Sequence, residues 1–150
     1  MAPDDSHALT LLLVALFAVI ARFLPGSAEL LDDEFKNLYH LTYHTFGAHA
    51  DVDSAPFRQA IWYYTGRLYG VLNDDYEYAF VNKLLSRAVK TFVKNLVCFP
   101  HGVRRRDFAG FAATLSLSEK VHVALLATEA RMQLGLLYGL RAVGEYYSKR

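Results

Sequence analysis

Apolar positions recur along this chain at helical spacing. Phe80, Leu84, Leu85, Ala88, Phe92 and Leu96 fall along one helical face. No alternating apolar and polar run is bounded by hairpin signals, and Asn-Gly and Asp-Gly are absent. The pattern predicts an all-α helical bundle of about six helices. The first is the uncharged apolar run at residues 8–21, which ends before Pro25-Gly26. The second covers residues 28–46, with Gly47 as its C-terminal cap. The third starts at Ser54, a good N-cap with Pro56 in the first turn, and ends near Gly70. The fourth follows Asn73-Asp74-Asp75 and runs to Phe99, where Pro100 stops it. A shorter fifth spans residues 103–114. The last starts at Ser116 or Ser118 and runs to Tyr147. Leu125, Leu126, Met132, Leu136, Leu137, Leu140 and Val143 cannot all face one side of it, so it is expected at the centre of the bundle. Gly135 and Gly139 would allow a close helix crossing there.

Composition narrows the class. With 150 residues, 53% of them hydrophobic, the chain suits one domain with a real core and is not disordered. Lys and Arg number 16 against 15 Asp and Glu, a net charge of +1 that excludes a strongly basic nucleic-acid binder. Cys98 is the one cysteine. It forms neither an internal disulfide nor a Cys-x-x-Cys pair, which is compatible with a reducing, intracellular compartment. The apolar run at 8–21 is shorter than the roughly 20 residues of a bilayer span. Its leader carries Asp4 and Asp5 where a signal peptide carries basic residues. No membrane span is expected, and the run reads as a buried or interface-facing helix.

Several residues could carry chemistry. His40 and His44 sit at i, i+4, with His49, Asp51 and Asp53 following, but no downstream pattern completes a metal site. Cys98 and His101 could pair as a nucleophile and base. The apolar run Leu96-Val97-Cys98-Phe99 points instead to a buried, inert thiol. Arg104-Arg105-Arg106 reads as a solvated face at a helix start. Asp74-Asp75 offers one cap and one carboxylate for a partner's basic group. Ser116-Leu-Ser-Glu119 matches the capping box, with Glu119 returning to the backbone N–H of Ser116. Alternatively, the Glu119 carboxylate receives an ammonium group while Arg58 receives a carboxylate bidentately. Together the two would recognise an amino-acid zwitterion, or they form a plain salt bridge. Spacing does not choose.

A resemblance adds to these readings. Residues 30–35 (LLDDEF), 37–45 (NLYHLTYHT), 51–54 (DVDS) and 58–62 (RQAIW) look like the sestrin family. So do residues 74–78 (DDYEY), 81–85 (VNKLL) and 97–100 (VCFP). Residues 118–123 (SEKVHV) are the most specific block, followed by 129–133 (EARMQ) and 137–142 (LYGLRA). The similarity covers residues 22–147 and resembles the C-terminal half of a sestrin. Residues 1–21 form an apolar N-terminal segment unlike the family, and 22–150 the sestrin-like domain.

The resemblance implies a fold related to the alkylhydroperoxidase AhpD type, without the peroxidase half and its catalytic cysteine. It implies a non-enzymatic regulator, stress- and amino-acid-responsive, that binds leucine and controls TOR signalling through a GATOR subcomplex. Carried over residue by residue, Glu119 takes the ammonium and Arg58 the carboxylate. Thr42, Tyr43 and Thr45 form a latch, with Ser54 in the lid and His122 lining the pocket. Asp74 and Asp75 contact the partner. Phe57 stands where the family has a leucine, and Ala112 where it has a tryptophan under the ligand side chain. Losing that indole removes a contact of about 1–3 kcal/mol, so methionine or phenylalanine stands beside leucine as the ligand. No cofactor, catalytic residue or metal is expected. Cytoplasmic and nuclear placement and a homodimer through an uncovered face are further expectations. Two alternatives stay open, an antioxidant peroxidase-type protein and a ligand-independent helical interaction module.

Overall fold

The structure, a computed structural model, describes residues 17–71 and 78–149. They are all-α apart from one short hairpin. Residues 17–23 (α1) are followed by α2 (Ser27–Thr42), β1 (Thr45–Phe46), β2 (His49–Ala50) and α3 (Ala55–Leu68). Then come α4 (Tyr78–Leu84), α5 (Arg87–Cys98), a 3-10 turn (Pro100–Gly102), α6 (Arg105–Gly110) and α7 (Leu117–Ser148). Among the described residues, no helix is long and apolar enough to cross a membrane. Most of the apolar run at 8–21 lies outside them, as do Asp74 and Asp75.

Contacts divide the chain into two units, Leu38–Leu134 and the described residues of Met1–Asn37 with those of Gly135–Arg150. The larger unit holds the core. Ala60 and Ile61 of α3, Val81 of α4 and Val89, Phe92, Val93 and Val97 of α5 are buried together with Val123, Leu126 and Ala127 of α7. Phe111 closes the cluster, its ring stacked on Phe92 with centroids 3.8 Å apart. In the smaller unit, Phe17 meets Phe35 at 6.2 Å and Phe23 stacks on Tyr147 at 4.9 Å. A Cβ at Gly135 or Gly139 would meet nothing within 4 Å among the described residues, so these glycines serve no close crossing there.

Three boundaries differ from the expected ones, each for a local reason. The second helix stops at Thr42, not Phe46. His44 turns left-handed at φ 52°, and residues 45–50 fold back as a hairpin pairing Thr45 with Ala50 and Phe46 with His49. Gly47 takes its positive φ of 62° in that hairpin rather than as a helix cap. The fourth helix is two helices. Ser86 is extended and its hydroxyl accepts from the Val89 N–H at 3.3 Å, capping a new helix in the middle of the apolar pattern. The short fifth helix is confined to α6, where the Asp107 carboxylate accepts from the Arg104 N–H at 2.9 Å.

Ser54 does stand at the start of α3, but its side chain does not cap it. The hydroxyl donates instead to the Thr42 carbonyl at 2.9 Å, and Asp53 accepts from the Ala55 N–H at 3.2 Å. Cys98 is half-buried at the end of α5, not fully buried. At the other end of the core, Lys120 is buried and donates to the Ala109 carbonyl at 2.7 Å, tying α7 to the last turn of α6.

Candidate functional site

The expected ligand-site residues come from five segments of the larger unit: the end of α2, the hairpin, the start of α3, the connection between α6 and α7 that carries Ala112, and the first half of α7. The hairpin is the hinge of the arrangement. Its turn lies so close to α7 that a Cβ on Gly47 would stand 2.7 Å from both the Cγ and the backbone nitrogen of Glu119. Only glycine fits there, at a φ that other residues resist. The turn thereby places Phe46 between two of the predicted residues. Its ring lies 5.2 Å from Phe57 and 5.3 Å from His122.

Phe46 and Phe57 also line a cavity of about 290 Å³ with Ala112, Leu84, Val89 and Leu115, joined by Ser86 and Thr114. Ala112 reaches it from a left-handed backbone position, φ 44°. The volume is near the lower end of the range for small-molecule sites, about 300–1,000 Å³. Its lining combines six apolar residues with the hydroxyl-bearing Ser86 and Thr114.

Glu119 completes the capping box read from the sequence. Its Oε2 accepts from the Ser116 N–H at 2.7 Å, and its own N–H donates to the Ser116 hydroxyl at 3.3 Å. The Ser116 backbone N–H, then its hydroxyl, hold the Glu119 carboxyl below its ordinary value, with His49 adding to the effect. Glu119 is therefore an anion at neutral pH.

Arg58 does not pair with Glu119. Its Nη2 stands 3.1 Å from both carboxylate oxygens of Glu129, and its Nη1 donates to the Thr42 hydroxyl. Thr42 in turn donates to the Leu38 carbonyl at 2.6 Å. The guanidinium lies over the Tyr39 ring, 5.8 Å from its centroid. Glu129 is buried, and burial pushes its carboxyl above the ordinary value while Arg58 opposes the rise. A second polar pair sits one turn further along the same two helices. Trp62 Nε1 donates to Gln133 Oε1 at 3.0 Å, and Gln133 Nε2 donates to Glu129 Oε1 at 3.3 Å.

His122 is buried at 3% exposure, and its Nε2 has no hydrogen-bond partner among the described residues. Burial, and secondarily the charge on Arg58, push the imidazole below its ordinary value. A buried ring nitrogen left unpaired is costly and marks a place where a polar group from outside would be welcome.

The structure thus joins Thr42, Ser54 and Arg58 by hydrogen bonds. Phe57 and Ala112 share the cavity, and Phe46 links that cavity to His122. Tyr43 stacks on Tyr39 at 4.3 Å, reaching Arg58 only through that ring. The Thr45 hydroxyl turns back to the Leu41 carbonyl at 3.1 Å. Phe46, Glu129, Gln133 and Trp62 were not singled out as a group from sequence. One signal was present: Arg58 and Trp62 lie four apart on one helix, as do Glu129 and Gln133 on another. No group of three or more metal-ligating side chains occurs among the described residues.

Comparisons with known proteins bear on this arrangement. Residues 15–147 match the family described as PA26 p53-induced protein (sestrin). A sestrin homolog of Dictyostelium discoideum is 44% identical over 134 residues, covering 89% of this chain and 22% of that protein. Sestrin-1 of Xenopus laevis and Sestrin-2 of Homo sapiens are each 44% identical over 130 residues, covering 87% of this chain and 27% of theirs. The chain spans about a quarter of the length of the curated relatives it matches.

Proposed function

The chain belongs to the sestrin family, and from that premise we propose that it is a non-enzymatic, stress- and amino-acid-responsive regulator. In this reading it binds leucine or a similar apolar amino acid, and through a GATOR subcomplex controls the inhibition of TOR complex signalling. The observation that carries the proposal is the position of Phe46. Its ring lies against both His122 and Phe57 and lines the apolar cavity, next to a turn pressed on Glu119. A free amino acid needs charged or polar receptors for its two termini and an apolar recess for its side chain. Glu119 would take the ammonium and Arg58 the carboxylate, with His122 Nε2, which has no partner among the described residues, as a further polar contact. The recess lined by Phe57 and Ala112 would take the side chain. Asp74 and Asp75 would meet the protein partner.

Titration calorimetry of leucine, methionine and phenylalanine into the purified chain tests this, with Glu119→Ala as control. Saturable heat that disappears in the variant is the expected result. Heat with phenylalanine or methionine alone would keep the sensor and change its ligand. No heat with any of the three, from a folded sample, would overturn it.

One observation favours a second reading. Arg58 is already satisfied by Glu129 and Thr42. A ligand-independent helical module would hold this arrangement permanently and act through Asp74 and Asp75 alone. Under that reading Glu119→Ala leaves partner capture unchanged, and replacing both aspartates abolishes it.

A further inference from the structure

Arg58 already holds a carboxylate, and the way it is held limits how a second one could arrive. Nη2 is shared by both oxygens of Glu129, and Nη1 donates to the Thr42 hydroxyl. The two charged side chains are largely buried, at 20% and 7% exposure. Gln133 fixes Glu129 from its own helix, and Trp62 fixes Gln133. A ligand carboxylate placed on this guanidinium would stand beside a buried carboxylate of the same charge. Two such groups do not stay ionised together at one site.

We propose that Glu129 occupies the place of the ligand's carboxylate, and that an amino acid binds by taking Arg58 from Glu129 while Glu129 takes up a proton. This rests on the reading that Arg58 receives an amino-acid carboxylate. The proton comes from solvent, and no bond other than O–H forms. Among the described residues, the groups facing the exchange come from three helices. Arg58 comes from α3, Tyr39 from α2 lies under its guanidinium, and His122 on α7 lies within the field of Arg58. With Arg58 withdrawn, burial favours the neutral acid. Gln133 can hold either form: its amide N–H₂ donates to the carboxylate, and its amide oxygen has a second lone pair for a carboxylic O–H.

The consequence is a binding equilibrium tied to pH by a residue that never touches the ligand's side chain. Leucine, methionine and phenylalanine are titrated calorimetrically into the full chain near pH 7, in buffers of different ionisation enthalpy. The dependence of heat on buffer counts protons. The expected result is a net uptake of protons that accompanies amino-acid binding. In Glu129→Gln the uptake vanishes and affinity rises about tenfold. In His122→Gln the uptake persists. Binding to the unaltered chain without proton uptake would overturn the proposal, as would uptake that survives in Glu129→Gln. Binding seen only in Glu129→Gln would support it. Absence of binding in both proteins would instead sink the amino-acid reading on which it stands. If Glu129→Gln does not fold, the proton counts of the unaltered chain and of His122→Gln decide.

Discussion

Glu119 and Glu129 lie on the same helix and are held in opposite ways. Glu119 sits at the open end of α7, where a backbone N–H and a hydroxyl from Ser116 favour its charged form. Glu129 lies within the buried part, where lost hydration disfavours the charge and Arg58 is needed to keep it. One carboxylate is stabilised by its neighbours in sequence, the other by a residue on another helix. The first keeps its charge without help from another helix. The second is committed to a partner and changes state only when that partner is taken.

The largest test of this contrast removes the partner. Arg58→Ala leaves Glu129 buried without its cation, to be held either unpaired or protonated, and is expected to cost about 3–5 kcal/mol of stability by denaturant titration. Replacing both members, Arg58→Met with Glu129→Leu, should recover most of that loss, because the expense lies in an acid left buried without its partner. Equal losses in the single and double variants would show that the pair is not a desolvated one. An intermediate effect is expected at the other acid. Gly47→Ala puts a methyl against Glu119 at a left-handed φ, at about 1–3 kcal/mol. Hydrogen exchange in the hairpin should rise while the fluorescence of Trp62, the one tryptophan, stays unchanged. A shift in Trp62 would mean that the two regions are one.

The smallest effect is in pH. His122 titrates below its ordinary 6.5 in the folded chain, so the unfolded chain takes up the proton first. Stability is then lost as pH falls from 6.5 through the folded value. Glu129 acts in the other direction: its raised value means that the penalty of its buried charge fades as pH falls toward 4.5. Thermal melts between pH 7 and 4.5 should show the His122 loss disappear in His122→Gln, and the opposing relief disappear in Glu129→Gln.

The contrast also explains what the sequence could reveal. The capping box at Ser116 and Glu119 is a local pattern, and so are the extents of α3 and α7; each follows from residues within a few positions of each other. The break at Ser86 was hidden because Leu84, Leu85, Val89 and Phe92 continue a helical stripe across it. The hairpin was hidden because its turn is demanded by tertiary contact, with Gly47 against Glu119 and Phe46 between Phe57 and His122. From sequence, Arg58 reads as the receptor of a ligand carboxylate or the partner of Glu119; in the structure its partner is Glu129. That the acid is Glu129 depends on how two distant helices are set against each other.

The two polar pairs between those helices have one more effect. Arg58 meets Glu129 and Trp62 meets Gln133, so α3 and α7 run in the same sense where they face each other. Sliding one helix by a single turn, about 5.4 Å, would leave the apolar faces in contact. It would also set Arg58 opposite Leu125 and Trp62 opposite Glu129, or Arg58 opposite Gln133 and Trp62 opposite Leu137. Either slip breaks both bonds at once; the first sets the Arg58 guanidinium against a leucine, and the second sets the Trp62 indole N–H against one. The pairs work as a two-digit address: apolar packing alone would accept several alignments, and these four side chains accept one.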